Sequence, residues 1–103
     1  MLLDFWFTSC GSCKEDTPQL KAIHRAHGDS LVVIGLSIDQ RREDVRECIE
    51  RESIGWVQVL DVADNAGEVN ELYGVAYYPT YFLWGPSGKV VKMRHKLPGD
   101  HRG

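Results

Sequence analysis

Two patterns of apolar and polar positions alternate along the chain. Residues 31–38 are almost continuously apolar, which indicates a strand buried on both faces, as in a parallel sheet covered by helices. Residues 43–53 instead place Val45, Cys48 and Ile49 at helical spacing. Over the whole chain, these patterns predict strands over residues 2–7, 31–38, 56–60, 79–84 and 89–94, and helices over residues 12–27, 43–53 and 65–73.

Turn-forming residues separate these elements. Pro18 lies inside the first predicted helix and is expected to kink it, because its ring removes a backbone donor. Gly74 suits the position that follows the third helix, and residues 85–88, Gly-Pro-Ser-Gly, predict a hairpin between the last two strands. We therefore predict one α/β domain with a mixed sheet over residues 1–96 and a frayed tail over residues 97–103.

Composition narrows the classes of function. The 103 residues suffice for one hydrophobic core, and the 43% apolar and 26% charged content is that of an ordinary globular protein. The net charge is −3 and no basic block stands out, so we expect no nucleic acid partner. The sequence contains no run of 18 apolar residues that would indicate a membrane span. It also has no basic segment after Met1 that would indicate a signal peptide.

Two of the three cysteines, Cys10 and Cys13, stand between a predicted strand and the start of a helix. The free N–H groups and the dipole at a helix N-terminus favour a thiolate, which is the attacking species in disulfide exchange. Cys10 lies further off the helix, so we expect it to be the exposed nucleophile. Cys13 is then the resolving thiol.

A cysteine pair at this spacing also fits half of a zinc site, which needs two more ligands. No second pair of the same kind occurs, although Cys48 and four histidines are available. We expect Cys48 to be a buried core residue and His24 and His27 to lie on a solvated helix face. A purely structural disulfide is disfavoured because it would close almost no loop. We expect no metal and no cofactor other than a redox-active disulfide.

Three segments resemble the thioredoxin family. Residues 4–14, DFWFTSCGSCK, resemble its strand and active-site turn, and Pro18 matches its helix proline. Residues 73–83 resemble the segment with the family's cis-proline, and residues 88–91 resemble the start of its edge strand. The long stretch between the cysteines and Pro79 is similar to the TlpA/ResA-like branch, whose members are membrane-anchored or periplasmic.

This resemblance implies a thioredoxin fold. The strand and helix that usually come first in the family, and its final helix, are not visible in this sequence. It implies a thiol–disulfide oxidoreductase that acts on protein thiols and disulfides, with a redox protein as electron donor or acceptor. It leaves the location of this chain unknown, although the branch implies the bacterial periplasm or cell envelope for a full-length form. A sheet face without the final helix would expose apolar side chains, so we expect a dimer or a swapped assembly, or else a fragment of a longer protein.

The resemblance and the residues together define a candidate site. Asp4, six residues before Cys10, is a carboxylate in an apolar strand, where burial would raise its pKa and suit it to accept a proton. Asp16 occupies the position of an acidic residue that is usually glutamate in this branch. A cis Tyr78–Pro79 bond would turn the chain towards the cysteines. We expect substrate contacts from Trp6, Gly11, Ser12, Tyr78 and Pro79, although aromatic residues beside a sheet are more often part of the core.

Two departures from the family pattern leave alternatives open. Ser9 and Ser12 replace the usual tryptophan and the frequent proline, so the direction of electron flow is undetermined. A peroxiredoxin-like peroxidase would need threonine where this chain has Phe7. A copper-delivery module would need a further donor, for which His95 is the available histidine late in the chain.

Overall fold

The computed structural model describes residues 1–85 and 87–94. Residue 86 of the predicted hairpin and the tail predicted over 97–103 lie outside the described residues. Within them, no helix is both long enough and apolar enough to cross a membrane. The elements, in chain order, are β1 (Leu2–Trp6), α1 (Gly11–His27), β2 (Val33–Ser37), α2 (Arg42–Glu52), β3 (Val57–Leu60), α3 (Asp61–Asn65), α4 (Glu68–Leu72), β4 (Thr80–Trp84) and β5 (Val90–Arg94).

The five strands form one mixed sheet in the order β3-β2-β1-β4-β5. β1 is parallel to β2, and β2 is parallel to β3, whereas β4 is antiparallel to both β1 and β5. The central strand β1 is buried at all five of its positions. The predicted α/β architecture is confirmed, and the end of β1 brings the chain to the middle of the sheet, where α1 begins.

Side chains alternate between the two faces of the sheet and form separate clusters. On one face, Leu2 packs with Leu20 of α1, while Trp6 packs with both cysteines and with α2. On the other face, Phe5 and Phe82 pack against Tyr73 next to α4. The first face therefore supports the cysteine turn, and the second is covered by the segment between β3 and β4.

The helix predicted over residues 65–73 is shorter in the structure, where α4 covers Glu68–Leu72 and a separate helix, α3, covers Asp61–Asn65. Ala66 and Gly67 adopt left-handed backbone conformations, with φ of 54° and 74°, which a continuous helix excludes. The N–H of Gly67 donates to the carbonyl of Asp61, which closes α3. Gly74 follows α4 with φ of 63°, as predicted for a residue beyond a helix end.

The predicted strand over residues 31–38 is shorter in the structure. The N–H of Leu31 donates to the carbonyl of His27 at 2.7 Å, so this residue closes the turn after α1. Val32 is 59% exposed, and the strand begins at Val33. The central part of the run is buried, as its continuous apolar pattern indicates.

Both edge strands carry exposed apolar side chains. Val57 of β3 is 62% exposed, and Val90 and Val91 of β5 are 47% and 52% exposed. β4 and β5 form the predicted hairpin, which Gly88 turns with φ of 81°. Self-association through such apolar surface stays a prediction.

Candidate active site

The cysteine pair lies at the N-terminus of α1. Cys10 is the N-cap residue of this helix and Cys13 lies in its first turn. A disulfide joins them across a Cα–Cα distance of 5.2 Å, and the N–H of Cys13 donates to the Cys10 sulfur at 3.1 Å. The structure thus joins the two cysteines singled out from the sequence. The Cys10 sulfur lies at the N-terminus of the helix, and this location favours a thiolate when the disulfide is reduced.

The expectation that Cys10 is exposed is wrong in this disulfide state. Cys10 is 5% exposed and Cys13 is 6% exposed. The reason is the capping contact, since it turns the Cys10 sulfur back over the first helical turn. Gly11 is exposed and Ser12 is half-buried, so this dipeptide forms the accessible surface of the pair.

The turn that leads into Cys10 is anchored by Asp39, which the sequence analysis missed. The N–H and the hydroxyl of Thr8 donate to the Asp39 carboxylate at 3.0 and 2.7 Å. The Ser37 hydroxyl donates to the same carboxylate at 2.5 Å. Because Ser37 ends β2, these bonds fix the turn to the neighbouring strand. The signal in the sequence is the Ser-x-Asp motif directly after an apolar strand.

Trp6 contacts the cysteine pair from inside the domain. Its side chain is 6% exposed and packs with Cys10 and Cys13, while its indole N–H donates to the Gln58 side-chain oxygen at 2.9 Å. This burial corrects the assignment of Trp6 to the substrate surface. The indole is held in the core because it has an apolar ring to bury and a donor that reaches β3.

Asp4 has the environment expected from its sequence position. It is 5% exposed, and its Oδ1 atom is buried without a hydrogen-bond partner among residues 1–85 and 87–94. Desolvation by burial raises the pKa of this carboxyl from 3.8 to about 7. A carboxyl with this pKa can take up or release a proton near neutral pH.

Tyr81 connects Asp16 of α1 to the face of the sheet that carries Asp4. Tyr81 is the direct cross-strand partner of Asp4 between β1 and β4, so their side chains share one face of the sheet. The Tyr81 hydroxyl donates to Asp16 Oδ2 at 2.7 Å. Asp16 is 1% exposed and Tyr81 is fully buried. The structure therefore gathers two carboxyls and a phenol between the sheet and α1.

Tyr78 reaches the cysteine cluster from the segment before β4. The Tyr78–Pro79 peptide bond is cis. The Tyr78 ring packs against the cluster that contains both cysteines and contacts Phe7 edge to face, with ring centroids 5.7 Å apart. Pro79 is buried and Tyr78 is half-buried, so the accessible side chain of this pair is that of Tyr78.

Cys48 and the histidines do not extend the site. Cys48 is 2% exposed, packs with Val45, and has a pKa raised by burial, which confirms the expected core role. His24 packs on the ring of Trp56, with centroids 5.5 Å apart, instead of facing only solvent. Among residues 1–85 and 87–94, no three metal-binding side chains lie together. His95 lies outside these residues.

A groove of about 890 Å³ opens at the other end of the sheet. Met1, Leu31 and Gly85 are among the residues that line it. Leu2 begins β1 and Cys10 follows the end of that strand, so this groove and the disulfide lie at opposite ends. The cysteine pair lies outside this groove, at a turn where Gly11 is exposed.

Comparisons with known proteins agree with this geometry. A sequence model of the thioredoxin-like family matches residues 1–90. The chain is 28% identical to sporulation thiol-disulfide oxidoreductase A of Bacillus subtilis, over 90% of this chain and 57% of that protein. It is also 28% identical to thiol-disulfide oxidoreductase ResA of Geobacillus thermodenitrificans, over 90% of this chain and 52% of that protein. The chain spans about half the length of these curated relatives.

A solved structure supports the fold independently. The thioredoxin domain of a thiol-disulfide oxidoreductase from Bacteroides vulgatus superposes with a TM-score of 0.78 at 37% sequence identity. The match covers 87% of this chain and 65% of that chain. The predicted thioredoxin fold, a mixed sheet flanked by helices, is therefore confirmed.

Proposed function

Since the chain belongs to the thioredoxin-like family, we propose that it exchanges disulfides with protein substrates through Cys10 and Cys13. The observation that carries the proposal is the Cys10–Cys13 disulfide at the N-terminus of α1. This location favours the thiolate that disulfide exchange requires. A structural bridge over two intervening residues would contribute little stability, because it closes so short a loop.

The proposed exchange takes place in two steps. The Cys10 thiolate attacks one sulfur of a substrate disulfide, forming a mixed disulfide and releasing the other substrate sulfur as a thiolate that takes up a proton. Cys13 then loses its proton and attacks the Cys10 sulfur. The second substrate thiol leaves, and the Cys10–Cys13 disulfide forms. Two electrons pass from the enzyme thiols to the substrate, and the reverse sequence oxidises a substrate dithiol.

Asp4 is the proposed acceptor of the Cys13 proton. Its pKa of about 7 lets a large share of the carboxyl be ionised at neutral pH and still hold a proton strongly enough to return it. Asp16 lies three residues after Cys13 and accepts a hydrogen bond from Tyr81. It is the proposed second acidic group of the site.

The proposed substrate surface consists of Gly11, Ser12 and the Tyr78–Pro79 segment. Gly11 is exposed, and a side chain placed there would have nothing within 4 Å, so a partner chain can approach its backbone closely. The backbone before Pro79 could pair with an extended substrate segment. A redox protein would then restore the starting state of the cysteine pair by the same exchange chemistry.

Reduction of insulin by dithiothreitol tests this function. Wild type should accelerate the appearance of turbidity, whereas Cys10→Ser and Cys13→Ser should each abolish the acceleration, because each removes one of the two exchanging sulfurs. Cys48→Ala is the matched control, since it removes the third cysteine and should retain turnover. Equal rates in wild type and both active-site variants would refute the proposal.

A further inference from the structure

We propose that Asn70, itself held by Asp61, is a positioning residue that fixes the Tyr78 ring beside the cysteine pair and so favours protein disulfides over small ones. This inference rests on the proposed exchange function and deepens it. It assigns a role to the helices between β3 and β4, because both positioning residues lie there: Asp61 begins α3 and Asn70 lies within α4.

A continuous set of hydrogen bonds links Tyr78 to Asp61. The Tyr78 hydroxyl donates to Asn70 Oδ1 at 2.5 Å, and Asn70 Nδ2 donates to Asp61 Oδ2 at 2.6 Å. The Asn70 amide thus accepts with its oxygen and donates with its nitrogen. A flip of this amide would turn its oxygen towards the Asp61 carboxylate, which can only accept, so Asp61 determines the orientation of the amide. Asn70 is 8% exposed, and its bond to Asp61 is buried and so shielded from competing water.

Asp61 gives this set of bonds a fixed end. Its carboxylate is fully buried and also accepts from the N–H groups of Val69 and Asn70, at 3.1 and 2.9 Å, and from the Asn65 side chain at 3.1 Å. Burial acts to raise the pKa of Asp61, but the hydrogen bonds from Asn70, Asn65 and Val69 outweigh it and leave the pKa below its usual value. The group is therefore an anion at neutral pH, and charge-assisted bonds of this kind are strong.

The other end of the set is the Tyr78 ring. It contacts Phe7 and packs against the cluster that contains Cys10 and Cys13. Burial and the nearby negative charge of Asp61 raise the Tyr78 pKa, so its hydroxyl remains a donor at neutral pH. Without the bond to Asn70, the ring would keep its apolar contacts and lose the contact that fixes its outer end.

The two substrate classes should respond differently to that loss. An extended protein segment must contact surface on both sides of the reacting sulfur, and an ordered ring lowers the entropy cost of that contact. A small disulfide needs access to little more than the sulfur of Cys10. The ratio of the two rates therefore reports the position of Tyr78. A general loss of stability would lower both rates together and leave this ratio unchanged.

The test compares the reduced forms of wild type, Tyr78→Phe, Asn70→Ala and the double variant. Second-order rate constants are measured for insulin and for bis(2-hydroxyethyl) disulfide. We expect each single variant to slow insulin reduction by about three- to tenfold, the range that one net hydrogen bond spans. The small disulfide should react within about twofold of wild type in all of them, since no contact near its reacting sulfur is lost. The double variant should match the single variants, because both changes remove the same contact.

Tyr73→Phe is the matched control, since it also removes one tyrosine hydroxyl, keeps its ring against Phe5 and Phe82, and should leave both rates unchanged. Equal losses on both substrates, additive losses, or no loss would each overturn the inference. Tyr78→Phe removes one hydroxyl and keeps the ring, so it decides the question even if Asn70→Ala does not fold. A wild type that reduces neither substrate would instead refute the proposed function, and this inference with it.

Discussion

Asp4 and Asp61 are both buried carboxyls, yet their pKa values move in opposite directions. Asp4 Oδ1 has no hydrogen-bond donor among the described residues, and burial raises its pKa to about 7. Asp61 accepts bonds from two backbone N–H groups and two asparagine side chains, and its pKa is lowered. The difference shows that the supply of donors, more than burial itself, decides the charge of a buried carboxyl here.

The two environments suit different roles. Asp61 is charged and fully bonded, so it can stabilise the α3–α4 segment and the groups attached to it. Asp4 can change its protonation near neutral pH, which exchange chemistry needs and a structural anion does not. Each of the following variants tests one side of this comparison.

Asp4→Asn should have the largest effect. At pH values below about 4 the Asp4 carboxyl is neutral in both the folded and the unfolded chain, so its titration contributes nothing there. Between about pH 4 and 7, the folded protein keeps a proton that the unfolded chain releases, so wild-type stability falls as pH rises. By pH 8 the wild type should have lost up to about 4 kcal/mol relative to the variant. Urea unfolding across this pH range measures the difference, and parallel curves would contradict the assigned pKa.

The same variant should be a poor catalyst. Without a proton acceptor behind Cys13, insulin reduction at pH 7 should slow by about 100-fold, the lower end of the range for general acid–base catalysis. Unchanged turnover in a folded Asp4→Asn protein would remove Asp4 from the mechanism.

Asp61→Asn should lower the free energy of unfolding by about 2 to 3 kcal/mol at pH 7, because an amide nitrogen would face donors that now contact a carboxylate. Its pH dependence should be opposite to that of Asp4. A lowered pKa stabilises the fold above the unfolded-state value, and that stability is lost as pH falls. Asp64→Asn is the control on the same helix, since Asp64 forms an exposed ion pair with Arg42. Equal effects of the two variants on urea midpoints would contradict the special role of Asp61.

Tyr81→Phe should have a smaller effect, about 1 to 2 kcal/mol, because it removes one hydrogen bond to the buried Asp16 carboxyl. Tyr73→Phe, on the other sheet face, is again the control and should change the thermal midpoint little. If the two variants are equally stable, the Tyr81–Asp16 bond contributes nothing to the fold.

The sequence predicted the parts of the site that lie close together along the chain. Cys10 and Cys13 follow one strand directly, and Asp4 is a carboxylate within that strand. The apolar pattern that predicts the strand and the residues that carry the chemistry therefore lie in one short segment. Asn70 and Asp39 were missed because their contacts, to Tyr78 and Thr8, depend on how separate segments meet. An asparagine in a helix and an aspartate after a strand are ordinary surface features until the fold supplies their partners.

The same reason explains two errors. Trp6 was assigned to the substrate surface although aromatic residues beside a sheet are more often core residues, and its burial and its hydrogen bond to Gln58 show that its indole is held inside. The helix predicted over residues 65–73 begins only at Glu68, because Gly67 has a left-handed conformation, and the Asp61 carboxylate accepts from the N–H of Val69 in the first turn of α4.

Trapping of the mixed disulfide tests the central claim most directly. Cys13→Ser is incubated with an oxidised protein substrate, and the cross-linked species is mapped by mass spectrometry. The exchange mechanism predicts a stable adduct at Cys10, because the resolving thiol is absent, and no stable adduct in wild type. The exchange mechanism would be contradicted by an adduct only at Cys48. It would also be contradicted if Cys13→Ser formed no adduct at any cysteine and still reduced insulin.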